Sequence, residues 1–185
     1  EGRKFSADLV TLGGRMGTEY IVIHPTSEYS GELKTVMEEG VKDNIRYLGE
    51  RCREKNITLA MENYPTGVGQ FPATLDAYVR EWNMPNMRPM VDTTEVIEGG
   101  GEPIAFIEQL AAPPCHLHLS DFSEGKKHQP IGTGEIDWPR LFKLLKERNY
   151  AGYYTLEPSY RHYLSDIPAK LQRDYATLSR LVESV

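Results

Sequence analysis

The sequence predicts an α/β protein built on a parallel sheet, and three observations carry that expectation. Short apolar runs recur five times, each followed by a stretch with apolar residues at helical spacing. Each run ends on a residue able to bind a metal or move a proton: His24, Glu62, Asp92, His118 and Glu157. The 185 residues are enough for one sizeable core, and no linker or low-complexity segment divides them, so a single domain over 1–185 is expected.

Residues 1–17 carry Ala7, Leu9, Val10 and Leu12 in a helix-compatible run that Gly13, Gly14 and Gly17 end. Tyr20 to His24, a near-continuous apolar run before Pro25, reads as a strand covered on both faces. From Glu32 to Lys55 the apolar positions Leu33, Met37, Val41, Ile45, Leu48 and Cys52 step by four and three, which marks an amphipathic helix. Ile57 to Glu62 is the second strand. A loop rich in glycine and proline follows to Pro72, and Thr74 is expected to cap a helix with Leu75, Tyr78, Val79 and Trp82 on one face. Met87 to Asp92 is the third strand. After Gly99, Gly100 and Gly101, Pro103 opens a helix that turns Ile104, Ile107 and Leu110 inward.

Cys115 to Trp138 is the most informative stretch. It starts as an alternating strand, with His116 and His118 on one side and Leu117 and Leu119 on the other. A polar loop with Asp121, Lys126, Lys127 and His128 follows, then Gly132 and Gly134, then Asp137 as cap of a helix to about Arg148 with Leu141, Leu144 and Leu145 inward. Tyr153 to Glu157 is the fifth strand. Ser165 is expected to cap a last helix with Ile167, Leu171, Tyr175, Leu178 and Val182 in one inward stripe.

Bulk properties narrow the function. With 27 acidic and 21 basic residues the net charge is −6, and no broad phosphate-binding surface is visible, which argues against nucleic acid as partner. Cys52 and Cys115 fall in a helix and a strand, form no disulfide framework, and fit a reducing, cytoplasmic setting. No apolar run approaches the ~20 residues of a membrane span. The chain opens on Glu1 and not on methionine, so its natural N-terminus is expected to lie upstream and targeting stays open.

In a parallel sheet all strand ends lie on one rim, so His24, Glu62, Asp92, His118 and Glu157 are expected to converge. Three carboxylates together repel and are costly to bury unless a cation neutralises them. Glu62, Asp92, His118 and Glu157 form an oxygen-rich set with one imidazole, suited to one divalent ion: Mn, Mg, Co or Zn. Taken singly, a polar residue at a strand end usually only marks the exit from the core. His24 is balanced between a functional role and a loop cap, His116 reads as a hydrogen-bonded core histidine, and Asp121 as a structural loop acid. Gly132-x-Gly134 fits a phosphate loop weakly and a tight turn into a capped helix at least as well.

Together the runs YIVIHP, MEN at Met61 to Asn63, VDT at Val91 to Thr93, HLSD at His118 to Asp121, GTGEIDW at Gly132 to Trp138 and LEP at Leu156 to Pro158 resemble the xylose isomerase-like barrels. That superfamily includes sugar phosphate isomerases and epimerases, ketose 3-epimerases, inosose-processing enzymes and the endonuclease IV group. The resemblance covers nearly the whole chain. It implies part of a (β/α)8 TIM barrel, strands four to eight with their helices, lacking the first three β/α units of a fold that takes about 250 residues. It implies one divalent metal on Glu62, Asp92, His118 and Glu157. Glu62 and Glu157 would also serve as acid and base on opposite faces of a sugar substrate, through a metal-stabilised enediolate. His24, Asn63, Glu95, His128 and Arg161 are the candidate substrate contacts.

Three departures qualify the resemblance. Glu95 stands where the family's DTxH pattern has a histidine that contacts substrate in epimerases and a second metal in the endonucleases. Lys126 replaces an aspartate two residues before the histidine matched by His128, which argues against a three-zinc site, although His24, Glu95 and His128 remain a conceivable second set. Five strands instead of eight leave two open edges, so a longer chain, a second copy in a homo-oligomer or trimming is expected to account for them. The leading reading is a metal-dependent isomerase or epimerase of a small-molecule sugar. The alternatives are a metal-dependent phosphoesterase of the endonuclease IV type, and a non-catalytic truncated barrel that binds a ligand or partner. Lys126, Lys127 and Arg161 are on rim loops, where substrate phosphate is one reading and plain solvation the other.

Overall fold

A computed structural model describes residues 2–25, 31–32 and 34–185. The chain forms two compact units, Glu1–Met90 and Val91–Val185. The main sheet has the strand order β1-β2-β3-β4-β7 with every pair parallel, as in part of a (β/α)8 barrel.

The first unit holds α1 (Gly2–Met16), β1 (Tyr20–Ile23), α2 (Lys34–Glu54), β2 (Thr58–Glu62), a 3-10 turn (Gly67–Gly69), α3 (Pro72–Trp82) and most of β3 (Met87–Asp92). Register runs from Tyr20↔Thr58 to Ile23↔Met61 and from Leu59↔Met87 to Glu62↔Met90. Leu59, Ala60, Met61 and Met90 are fully buried, with Ile45 and Cys52 of α2, Val10 of α1 and Leu75 of α3 packed into the same core. β1 was expected to be covered on both faces, yet its four residues are only half-buried. It has a single neighbour, β2, among the described residues. The inward face of α2 begins at Ile45, and Met37 is exposed, while Leu33 lies outside the described residues. Thr74 does not cap α3. The helix starts three residues earlier, with Phe71 as N-cap and Pro72 at its first position, and the Thr74 hydroxyl donates to the Val68 and Phe71 carbonyls.

The second unit continues with α4 (Thr93–Glu98), α5 (Pro103–Gln109), β4 (Leu117–Leu119), β5 (Asp121–Ser123), β6 (Lys126–Gln129), α6 (Trp138–Glu147), β7 (Tyr154–Leu156), a 3-10 turn (Tyr160–Tyr163) and α7 (Ile167–Glu183). α4 was not expected: it starts directly after β3, because the Asp92 side chain caps it through Thr94 N and Glu95 N. The expected polar loop 121–128 is instead an antiparallel hairpin. Its two-residue turn, Glu124 and Gly125, has φ of 52° and 73°, the positive values that suit a right-twisted hairpin.

Asp121 is the structural acid its position suggested. Fully buried, its carboxylate accepts from Phe122 N, Gly132 N, Ile136 N and the Trp138 indole. A Cβ at Gly134 would collide with this carboxylate and with the Phe122 carbonyl, so the GTGEIDW run is a turn wrapped around Asp121. Asp137 caps α6 through Arg140 N, as expected. Ser165 does not cap α7: Asp166 takes the N-cap place in a left-handed conformation, and Ser165 accepts from Lys170. The expected inward stripe of α7 is mostly outward. Ile167, Leu171 and Tyr175 are exposed, while Asp174 and Leu178 are buried. Among the described residues no helix is long and apolar enough to cross a membrane.

Candidate metal centre

Strand register builds the site in the second unit. Asp92, the last residue of β3, is level with His118 of β4, and His118 is level with Thr155 of β7. Glu157 follows β7 and is tied back by its N–H to the Leu119 carbonyl at 3.0 Å. Parallel strands in this register turn Asp92, His118 and Glu157 to one place. Each offers a ligand atom, and those atoms lie within 4.8 Å of one another. His118 Nδ1 is 2.7 Å from Glu157 Oε2. Asp92 is 1% exposed, so its carboxylate sits where charge is costly without compensation. Part of that compensation is local: Oδ1 accepts from Thr94 N at 2.7 Å, Glu95 N at 2.9 Å and the Thr94 hydroxyl at 2.9 Å.

Beside this cluster stand Glu95 and His128. Glu95 occupies the first turn of α4, and its Oε1 accepts from Lys127 Nζ at 2.7 Å and lies 3.5 Å from His128 Nε2. Burial works against the Glu95 charge, but the hydrogen bonds from His128 and Lys127 outweigh it and hold the carboxyl below its ordinary range. For Lys127, burial is likewise overcome by hydrogen bonds to Glu95 and Glu98, which push the ammonium up to about 12. His128 is raised above the ordinary imidazole value, chiefly by its bond to Glu95, with burial opposing and the charges of Asp92 and Glu157 adding to the rise. Its Nδ1 lies 3.1 Å from the Glu157 carbonyl, which can only accept, so Nδ1 carries a proton.

In the first unit, His24 Nε2 is 3.1 Å from Glu62 Oε2, with His24 half exposed and Glu62 7% exposed. The His24 ring lies 4.9 Å from that of Tyr64, a neighbour that no strand-end pattern indicated. Asn63 is buried next to Glu62. Arg161 sits exposed in the 3-10 turn after β7. His116 is a buried histidine hydrogen-bonded to Thr155, as its deeper position suggested.

The xylose isomerase-like TIM barrel family model matches residues 1–181. The chain belongs to this family. An inosose dehydratase of Clostridium beijerinckii is 25% identical over 174 aligned positions, which cover 77% of this chain and 58% of that protein. This xylose isomerase-like chain therefore spans less than two thirds of the curated relative's length. Among solved structures, D-psicose 3-epimerase from Clostridium cellulolyticum H10 superposes with a TM-score of 0.78 at 16% identity, covering 99% of this chain and 70% of that one. A xylose isomerase-like TIM barrel protein from Mycobacterium smegmatis in complex with magnesium gives 0.72 at 15%, covering 98% and 67%.

The donor set of this family member fits a hard divalent cation. Two carboxylates and one imidazole offer oxygen and nitrogen atoms only. Ligands at 2.0–2.2 Å from a common ion sit roughly 3–4 Å apart, so a spread of up to 4.8 Å closes with small side-chain rotations. Ser120, Thr94 and Lys127, which hold the neighbouring side chains, carried no sequence signal for that role, since they act across 26 to 34 residues of chain.

Proposed function

We propose that this chain carries the metal site of a sugar isomerase or epimerase. In this reading Asp92, His118 and Glu157, with Glu62 as fourth ligand, hold one divalent ion: Mn, Zn, Co or Mg. The observation that carries it is the cluster of a 1% exposed, helix-capping carboxylate, an imidazole and a second carboxylate with ligand atoms within 4.8 Å. Glu62 is assigned on its position, since it ends β2 as Asp92 ends β3. A bound ion would supply Lewis-acid polarisation of adjacent substrate oxygens and offset the carboxylate charges.

The protein groups then divide the work. Glu157, whose Oε2 lies 2.7 Å from His118 Nδ1, takes or returns the proton on the carbon beside the substrate carbonyl. Glu62, paired with His24, does the same from the opposite face, and the substrate passes through an enediolate. His24, Asn63, Glu95, His128 and Arg161 are the proposed substrate contacts. The substrate is a small sugar or sugar derivative, in line with the inosose dehydratase and D-psicose 3-epimerase among the similar proteins.

Phosphoester hydrolysis with a second ion is less well supported, because the Lys127 ammonium on Glu95 repels a second cation, whereas a neutral sugar hydroxyl can still reach that carboxylate.

The test is deuterium wash-in. The protein is incubated with Mn²⁺ and D-tagatose in D₂O, and proton NMR follows the carbons flanking the carbonyl. Exchange that is lost in both Glu62→Gln and Glu157→Gln supports the assignment. Exchange at the wild-type rate in both variants sinks it.

A further inference from the structure

Two of the three ligand-bearing strands are short. β4 and β7 have three residues each, so few ladder hydrogen bonds fix the geometry of His118 and Glu157. A separate element reaches all three ends. Lys127 of β6 bridges Glu95 and Glu98, the two acids of α4, which begins directly after Asp92. His128, the next residue, places Nδ1 3.2 Å from the Ser120 hydroxyl, two residues past His118. The same ring nitrogen lies 3.1 Å from the Glu157 carbonyl, and the His128 carbonyl accepts from Ser159 N at 2.8 Å. The backbone at His128 is left-handed, with φ of 56°, a conformation a non-glycine residue holds only when its surroundings fix it.

We infer that Lys127 is a positioning residue: it clamps the β5–β6 hairpin to α4, and through His128 it braces the ends of β3, β4 and β7 at the spacing that holds a divalent cation. The ion pairs with Glu95 and Glu98 pull β6 onto α4, and the adjacent imidazole is thereby seated on Ser120 and Glu157. The clamp rests on the reading of Asp92, His118 and Glu157 as metal ligands. It adds that their affinity for the ion depends on a lysine that touches none of them. Glu95 is 8% exposed, so losing the ammonium leaves a buried carboxylate with one of its two cationic partners gone and favours a shift of α4 or the hairpin.

The experiment measures Mn²⁺ binding by isothermal titration calorimetry, with circular dichroism recorded on each metal-free variant. Lys127→Met, which keeps the stem and drops the charge, is expected to bind Mn²⁺ about 10–100-fold more weakly with an unchanged spectrum, the range found when partners that orient metal ligands are removed. Lys127→Arg, which keeps a cation with donors for two carboxylates, recovers most of the affinity. Glu98→Gln alters only the more exposed partner and gives a smaller loss in the same direction. If Lys127→Met alters the spectrum, the comparison of Glu98→Gln and Lys127→Arg with wild type decides the question. Wild-type affinity in Lys127→Met and in Glu98→Gln overturns the clamp. The metal reading is judged separately: if wild type binds no Mn²⁺, or Asp92→Asn binds as well as wild type, that reading fails and the clamp falls with it. Binding that is lost in Asp92→Asn and intact in both clamp variants overturns the clamp alone.

Discussion

Asp121→Asn is expected to destabilise the second unit by several kcal/mol, although the two side chains have almost the same shape. Asp121 Oδ1 accepts from Phe122 N at 3.0 Å and Ile136 N at 3.2 Å, and Oδ2 accepts from Gly132 N at 3.0 Å and the Trp138 indole at 2.9 Å. An amide keeps one oxygen and turns an NH₂ group toward two N–H donors, whichever way it is flipped. Two hydrogen bonds to a charged acceptor are lost, at about 1.5–3 kcal/mol each, or roughly 3–6 kcal/mol together. The residue is fully buried, so water cannot replace them. Against a total stability of about 5–15 kcal/mol this is a large fraction. At about 2–4 °C per kcal/mol for a chain of this size, Tm falls by on the order of 10 °C. Guanidinium unfolding followed by Trp138 emission in a Trp82→Phe background isolates the second unit. A loss below about 1 kcal/mol would refute the carboxylate-centred account of the GTGEIDW turn.

Three further outcomes follow from the same physics. Tyr163→Phe removes the hydroxyl that donates to Asp174 Oδ2 at 2.6 Å. With Asp174 1% exposed and Arg173 its remaining side-chain partner among the described residues, urea unfolding should show a loss of about 1–3 kcal/mol. Cys52 is fully buried, and burial pushes its thiol up to about 11, while Cys115 is 2% exposed. A thiol-reactive dye at pH 8 should therefore label neither cysteine in the native protein and both in denaturant, and prompt native labelling would contradict the packing. His128 in the metal-free protein titrates above its ordinary value of about 6.5, mainly through Glu95. Its contribution to stability is full below that ordinary value and is lost as pH rises through the folded one. NMR titration of the His128 ring should show the value falling in Glu95→Gln, and an unchanged value would remove Glu95 as the cause.

The parts of this fold that were legible in the sequence are those written in local periodicity. Alternation and apolar runs located all five main strands, and Pro103 and Asp137 marked helix starts because their effect is confined to one turn. α4 was missed because Thr93–Glu98 is too short to show a helical period, and its cap, Asp92, also ends a strand. The hairpin was missed because Lys126–Gln129 is polar throughout, so no alternation marks it as a strand. Thr74 and Ser165 are residues of the capping type, yet proline or aspartate nearer the helix start took the N-terminal place. The outward stripe on α7 shows the limit of periodicity: spacing tells which residues share a face, and not what covers that face. In the candidate site, the convergence of Asp92, His118 and Glu157 follows from their places at successive strand ends. The link between Lys127 and Glu95 spans 32 residues and depends on a hairpin that no local pattern announced.

The most direct test of the account is metal content. Gently purified wild type and Asp92→Asn would be compared by elemental mass spectrometry, with Mn²⁺ titrated back into each after chelation. About one divalent ion per wild-type chain and a clear loss in the variant are predicted, since Asp92 is a proposed ligand and its side chain also caps α4. Wild-type protein that neither retains nor rebinds a divalent ion, or a variant that holds it equally well, would contradict the account.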